Sequence, residues 1–368
     1  MPDSALSELT LSHFRSHLDT RIILDGRPVA IFGLNGAGKT NILEAISLLS
    51  PGRGIRRSKV AEMVRSPEEI GWKISAILKI GNLTHKIETR TGPNLNRLIF
   101  IDDKPTSQVA LGELVKIIWL TPNMDRLWVD GPEVRRRFVD RITHSFIPSH
   151  AQEILSYEKA MRERNRLLKE LSRNLDWYRA IENQMAIAGA EIIKNRNIAL
   201  EKLSLSMESS QTSFPVADLS LKNEEKDLNT FSADRFREVL ETKRSEDLYV
   251  GRTSIGPHKT DLTVEYQEKG IDAKYCSTGE QKALLISLVL ANARGLLRED
   301  GNPPIMLLDE VSAHLDHKRR QDLYTEITSL GAQAWMSGTD VGLFKEILES
   351  SQQFEVVDNN GSSKVLIP

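Results

Sequence analysis

One octapeptide limits what this chain can be more than any other stretch. Gly33-Leu34-Asn35-Gly36-Ala37-Gly38-Lys39-Thr40 has the form G-x-x-x-x-G-K-[ST], set between an apolar run "PVAIF" (28–32) and "NILEAISLL" (41–49), whose apolar residues recur at helical spacing. A glycine loop between a strand and a helix aims several backbone N–H groups and the positive end of the helix at one point, which suits a phosphate group. The expected phosphate-binding stretch therefore runs from Gly33 through Asn41, with Lys39 reaching the β and γ oxygens and Thr40 offering a hydroxyl to Mg²⁺. ATP and Mg²⁺ are the expected ligands, and the fold class is α/β.

A second acidic element supports this. In "PIMLLDE" (304–310) an apolar strand ends in Asp309 and Glu310. Asp309 is placed to hold the metal ion, and Glu310 to orient or deprotonate an attacking water. Alone, four apolar residues followed by two acids would describe any buried strand meeting solvent. Beside a phosphate loop they complete a hydrolytic pair.

The rest of the chain bounds the setting. At 368 residues it exceeds one ordinary core, so two domains or one large domain with an insertion are expected. No window approaches the run of about 18 apolar residues that a membrane span needs. The opening "MPDSALSELTLSHFRSH" has neither a basic leader nor an apolar run, and one cysteine, Cys276, allows no internal disulfide. A cytoplasmic, nucleoid-associated location with no membrane partner is the expectation. Net charge is −2, so contact with nucleic acid must rest on local basic patches. The densest are "RGIRRSK" (53–59) and "RRR" (135–137), with "RERNRLLK" (162–169) diluted by glutamate.

Leu9 and Leu11, then Ile22 and Leu24, alternate as short strands. Residues 72–120 alternate apolar and polar and read as antiparallel strands, "KIIWL" (116–120) included. From 133 to 208 the composition is helical, interrupted by Pro148, and Leu168, Leu171, Leu175, Tyr178 and Met185 fall near a 3-4 spacing that suits a short helical hairpin. Residues 209–247 read as polar and irregular. "GRTSIGPHKTDLTVEYQEKG" (251–270) resumes strand-like alternation, followed by a long apolar helix, the strand at 305–308, a helix from Lys318, a strand in "AQAWMSGTD" and a last strand pair.

Far downstream of the loop, "STGEQKALLISLVL" (277–290) resembles the signature of ABC-type ATPases, S-x-G-[EQ]-Q opening an apolar helix. In that superfamily the signature serves a nucleotide held by a second subunit, so the resemblance implies that Ser277, Gly279 and Glu280 close over a partner's γ-phosphate in a twofold, head-to-tail pair. The plainer reading makes Ser277 an N-cap with Glu280 at N3, a capping box. "SAHLD" (312–316) resembles the D-loop, which brings in Asp316, and "SGTD" (337–340) puts Thr339 and Asp340 where many transporter ATPases carry a switch histidine. Cys276, with no activating base beside it, reads as a packed residue. His258 and His314 have no second ligand at metal-binding spacing.

The resemblance narrows to one family. "LSELTLSHFRSH" (6–17) resembles the opening strand of the RecF family, related to SMC heads, with Phe14 and Arg15 as its Phe-Arg. "PNMDRLWVDGPEVRRRFVD" (122–140) matches the family's run at Pro122, Gly131, Pro132, Arg135, Arg136, Phe138 and Asp140, and departs from it at Asn123, Trp128 and Asp130. "GPHKTDL" (256–262) resembles Gly-Pro-His-Arg-Asp-Asp with Lys259 and Thr260 substituted.

The resemblance implies an ABC-type P-loop ATPase head with mixed sheets, assigned to 1–140 and 241–368, and an inserted, mainly helical arm over 141–240. It implies an ATP-dependent homodimer that binds single- and double-stranded DNA at gaps or junctions and hydrolyses ATP weakly, stimulated by DNA. With RecR and RecO it would help load recombinase. Arg53, Arg56, Arg57 and Lys59 are the candidate phosphate-backbone contacts. The alternatives are the ATPase subunit of an ABC transporter and an SMC-like chromosome-organising ATPase. An ATP-gated scaffold with negligible turnover is a further reading.

Overall fold

A computed structural model describes residues 4–68, 70–92, 94, 96–208, 212–223 and 232–368. The chain separates into two compact units, one made of Met1–Asp125, Ser210–Phe214 and Leu285–Pro368, the other of Arg126–Ser209 and Pro215–Leu284. The second unit thus takes in residues 126–140 and 241–284, beyond the 141–240 named above.

The elements, in chain order, begin with β1 (Ser4–Phe14), β2 (His17–Ile23), β3 (Val29–Phe32), α1 (Lys39–Ser47), β4 (Lys73–Ile80), β5 (Leu83–Thr91), β6 (Arg97–Ile101), β7 (Lys104–Pro105), α2 (Gln108–Leu114) and β8 (Ile117–Leu120). They continue through α3 (Pro132–Phe146), α4 (His150–Lys169), α5 (Leu175–Glu208), β9 (Ala217–Lys222), α6 (Ala233–Thr242), α7 (Arg244–Val250), β10 (Asp261–Tyr266) and β11 (Ile271–Asp272). The last are α8 (Thr278–Asp300), β12 (Ile305–Leu308), α9 (His317–Leu330), β13 (Ala334–Gly338), β14 (Gln352–Asn359) and β15 (Ser362–Leu366).

The first unit holds two six-stranded sheets. One, in the order β2-β1-β4-β5-β6-β7, is antiparallel throughout. It alternates as a one-sided sheet should, with Ile74, Ala76 and Leu78 of β4 buried and the residues between them not. The other runs β15-β14-β3-β13-β12-β8 and is parallel except for the terminal hairpin. Every residue of β12 and β13 is buried, as in strands covered on both faces.

The expectation that 116–120 joins the antiparallel set is corrected here: β8 pairs parallel to β12, with Ile117 opposite Ile305. "KIIWL" is continuous in its apolar residues, the mark of a strand without a wet face, and that outweighs its position in the chain. Helix α1 shares a core with both sheets. Ile42, Leu43, Ala45 and Ile46 cluster with Leu9, Leu11, Ile31, Trp72, Ile74 and Leu307, so the helix that opens the phosphate loop is fixed by apolar packing.

In the second unit α4 and α5 form the expected hairpin, packed through Tyr157, Ala160, Leu167 and Leu168 against Tyr178, Ile181, Met185 and Ile192. Leu171 and Leu175 do not join that seam. They flank the turn between the helices and are exposed. Part of the stretch expected to be irregular, 209–211 and 224–231, lies outside the described residues. Within the remainder the expectation fails, because β9, α6 and α7 are regular. Helix α6 buries Phe236 and Leu240, an apolar stripe at helical spacing but only ten residues long within a polar stretch. The strand expected over 251–270 reduces to β10, which pairs with β9 on one side and β11 on the other in a three-stranded antiparallel sheet. Among the described residues no helix is long and apolar enough to cross a membrane.

Candidate nucleotide site

The loop leaves β3 at Gly33 and enters α1 at Lys39. Three of its residues, Gly33, Gly36 and Gly38, have φ of 145°, 84° and 108°, a region that side chains with a Cβ rarely enter. Two are also hemmed in from behind. A Cβ on Gly33 would lie 2.1 Å from the Val356 carbonyl oxygen, and one on Gly38 would lie 2.2 Å from Ser363 Oγ. Gly36 faces open space.

Behind the loop is a hydrogen-bonded brace with no signature in the sequence. Ser363 Oγ, on β15, donates to the Ala37 carbonyl at 2.5 Å and lies 2.6 Å from Ser16 Oγ. Asn41 Nδ2 donates to that same Ser16 hydroxyl at 2.7 Å, and Arg65 Nη1 donates to the Ser16 carbonyl at 2.8 Å. Buried His17 sits 3.2 Å from the Gly38 carbonyl through Nε2 and 3.0 Å from Thr20 Oγ1 through Nδ1. Burial lowers the pKa of His17 to about 4, so the ring is neutral, with Nε2–H donating to the carbonyl and Nδ1 accepting from Thr20. His17 and Ser16 lie in the segment quoted for its Phe-Arg. No periodicity or motif sets them apart from strand residues.

Arg15 and Phe14 acquire distinct tasks. Phe14 is buried edge-on against Trp72, at 5.7 Å between ring centres. Arg15 grips fully buried Glu44 of α1 through both carboxylate oxygens, at 2.9 and 2.7 Å. Arg56 adds a contact to Glu44 at 2.9 Å and to Asn41 Oδ1 at 2.7 Å. Of the candidate DNA contacts, Arg56 therefore already serves the loop. Arg53, Arg57 and Lys59 are exposed along the same segment.

At the mouth of the loop the expected groups converge. Lys39 Nζ donates to the carbonyls of Gly33 and Leu34 at 2.7 and 2.9 Å, with its pKa lowered by burial and partly restored by Glu310 and Asp309. Thr40 Oγ1 is 3.1 Å from Asp309 Oδ1. Ser337, at the end of β13, donates to Asp309 Oδ1 at 2.7 Å and accepts from the Glu310 N–H at 2.9 Å. Parallel register makes this possible: Leu308 of β12 lies opposite Met336 of β13, so Asp309 comes level with Ser337, and Gly338 lies opposite Phe32 of β3. Glu310 has φ 52°, a sparsely populated conformation for a glutamate and of a kind that clusters at functional sites. The oxygen pair of Thr40 and Asp309 is a hard donor set suited to Mg²⁺, and the open side at Gly36 with the Lys39 ammonium suits a polyphosphate.

Thr339 follows β13 and is exposed. Asp316 caps α9, accepting from the Arg319 N–H at 2.9 Å. In the second unit the Ser277 turn forms the capping box. Ser277 N and Oγ donate to Glu280 Oε2 at 2.9 and 2.8 Å, and the Glu280 N–H points back to Ser277 Oγ at 3.4 Å. Gln281, buried, donates to the Ala273 and Lys274 carbonyls, and the Trp128 indole donates to the Gln281 carbonyl at 2.8 Å. Both the capping geometry and Gln281 thus have local uses, while Gly279 follows Ser277 and Thr278 into the first turn of α8. Cys276 is packed, its pKa raised by burial.

The chain matches, over residues 5–363, the family described as RecF/RecN/SMC N terminal domain. It is 40% identical over 363 residues to the DNA replication and repair protein RecF of Rhizobium rhizogenes, covering 95% of this chain and 96% of that one. It is also 40% identical over 362 residues to the RecF of Brucella suis, covering 96% and 94%. The chain belongs to the RecF family. A structure of the recombination mediator protein RecF with ATPrS superposes with a TM-score of 0.85 at 27% identity, covering 99% of this chain and 98% of that one. An Smc head domain from Pyrococcus furiosus has the same fold, with a TM-score of 0.58 at 16% identity and coverage of 99% and 96%. Membership in the RecF family sets aside the transport-ATPase and chromosome-organising alternatives.

The family's run at 122–140 now reads as structure. Arg135 pairs with both oxygens of Asp261 at 2.7 and 2.9 Å, and Arg136 donates to the Thr260 carbonyl at 2.9 Å. Arg137 pairs with Glu133, and Asp140 holds Arg196 and His150. What looked like a basic patch at 135–137 is in part the seam that joins α3 to "GPHKTDL" through Arg135 and Arg136, with Arg137 left on the surface beside Glu133. His258 of the same segment instead meets α4, 2.8 Å from the Tyr157 hydroxyl, and burial lowers its pKa to about 4.

Proposed function

We propose that this RecF-family chain is an ATP-dependent DNA-binding protein of recombinational repair and replication. In this reading two copies pair head to tail on ATP, and slow, DNA-stimulated hydrolysis releases them. The observation that carries the reading is the cluster at the loop mouth: Thr40 hydroxyl against the Asp309 carboxylate, Lys39 beside them, and Glu310 fixed through Ser337.

Lys39 would exchange the Gly33 and Leu34 carbonyls for anionic oxygens. Thr40 and Asp309 would hold Mg²⁺ between them. Glu310, its backbone anchored by Ser337, would orient a water and take its proton. Bound Mg²⁺–ATP supplies the phosphoryl group whose transfer to water ends the cycle. Ser277 and Gly279 of one copy, with Asp316 and Thr339, would complete the pocket of the other. The helical stretch 141–240 is read as an arm inserted in the head.

Because ATP bound only by the paired form stabilises that form, nucleotide acts as a clamp for DNA. Arg53, Arg57 and Lys59 would contribute salt-dependent backbone contacts, with gapped or junction DNA as substrate and RecR and RecO as partners in recombinase loading. The likeness to the recombination mediator protein RecF of the RecFOR pathway supports the reading. Sizing the protein with ATP, ADP or no nucleotide, with and without gapped DNA, tests it. Dimer only with ATP, sharpened by DNA, is the expected result, and a monomer under every condition would overturn it.

A further inference from the structure

Ser277 is already occupied as an acceptor's partner. Its N–H and its hydroxyl both donate to one oxygen of Glu280, at 2.9 and 2.8 Å, the contacts that a phosphate oxygen would otherwise receive. The other oxygen, Oε1, is held by the Lys269 ammonium. Lys269 comes from the tight turn after β10, where the N–H groups of Lys269 and Gly270 both bond to the Tyr266 carbonyl at 3.1 and 2.9 Å, and Gly270 has φ 61°. That turn aims the ammonium across the Tyr266 ring, 5.5 Å from its centre, at the start of α8. Of the neighbouring charges, Lys274 and Asp272 pair with each other at 3.3 Å, and Glu268 accepts from the Tyr266 hydroxyl at 3.5 Å.

A carboxylate at this place poses a problem for the reading proposed above, on which this inference rests. Were the Ser277 turn to close on a second copy's triphosphate, Glu280 would meet a highly charged anion, and like charges brought together on desolvation oppose association. We propose that Lys269 is a positioning residue that neutralises Glu280, so that the Ser277 turn can approach the anionic nucleotide of a second copy. An ordinary exposed pair would matter little in the free chain. Its effect is confined to the closed pair, where water is excluded and the ammonium separates two anions.

The test compares wild type, Lys269→Met, Glu280→Gln and the double variant by sedimentation over a range of ATP concentrations. Fluorescent-ATP binding to dilute monomer serves as a second readout. Lys269→Met keeps the side-chain stem but not the charge, and Glu280→Gln keeps a capping oxygen but not the charge. Expected is an about tenfold rise in the ATP concentration for half-dimerisation in Lys269→Met, unchanged monomer binding, and return to within about threefold of wild type in the double variant. A purely structural role would give a loss that Glu280→Gln does not rescue, which overturns the proposal, as does a Lys269→Met protein that dimerises like wild type. Wild type that stays monomeric with ATP overturns the dimer reading itself.

Discussion

Ser363 lies on a strand more than three hundred residues from the loop it supports, and its hydroxyl is the last link between β15 and the Ala37 carbonyl. Replacing it with alanine removes a buried hydrogen bond of about 1 kcal/mol and frees the loop from its brace. The expected outcome is a roughly fivefold weaker nucleotide affinity with kcat little changed, read by titration with a fluorescent ATP analogue. Glu310→Gln works in the opposite sense. It should bind ATP normally yet slow hydrolysis by at least about a hundredfold, leaving a long-lived dimer in a sizing experiment. Turnover at the wild-type rate would remove Glu310 from the role given to it.

His17 and His258 add a dependence on pH. Both have folded-state pKa values lowered to about 4, whereas the unfolded chain titrates near 6.5. Protons therefore favour the unfolded state. The stability these rings confer is full above pH 6.5 and is lost as pH falls from there toward 4, at up to about 1.4 kcal/mol per pH unit for each ring. Denaturant titrations at pH 7.5 and 5.5 should show the fall, and His17→Asn should reduce it.

At the scale of elements, the second unit turns on a buried ionic knot. Arg164 of α4, fully buried, donates to Glu182 of α5 at 3.0 Å, to Asp247 of α7 at 2.6 Å, to Thr253 and to the Leu240 carbonyl. Arg244 closes on Glu182 from the other side. Arg164→Met would leave Asp247 without its cation and should cost about 3 kcal/mol or more, seen in chemical denaturation. Arg162→Ala, at an exposed pair with Glu158, should cost less than about 0.5 kcal/mol.

Such knots mark the limit of what a sequence discloses. Loop, helix and strand at 28–49 and the acidic strand end at 304–310 are legible because local pattern and chemistry coincide there. The helical hairpin is legible in its apolar spacing, apart from the two leucines that flank its turn. Arg164, Arg135 and Arg136 are not, since an arginine that pairs with a carboxylate a hundred residues away has the same letters around it as one in solvent. Helix α6 and strand β9 do carry a period, Phe236 with Leu240 at helical spacing and Leu219 with Leu221 in alternation, but each runs for only six to ten residues inside a polar stretch, and tertiary contacts decide their form.

For the molecule as a whole, the glycine loop and the Ser277 turn belong to separate compact units of one chain, with residues 278–284 of α8 in one unit and 285–300 in the other. Neutralising Arg53, Arg57 and Lys59 together should flatten the salt dependence of DNA binding by up to about three in log–log slope, with dimerisation on ATP retained. An unchanged slope would move the DNA contact elsewhere. Arg56 is left out of that variant because it holds Glu44 and Asn41, so its loss would confuse weaker DNA binding with a disturbed loop.

The back of the phosphate loop also has a bearing on descent. Gly38 has no room for a methyl group because Ser363 fills the place, and Gly33 has none because of Val356. Terminal hairpin and glycine loop are thus a single heritable part: at Gly33 the crowding atom is the backbone carbonyl of residue 356, which every amino acid carries, so no change of side chain there makes room, and lineages that rebuild the hairpin must rebuild the loop with it.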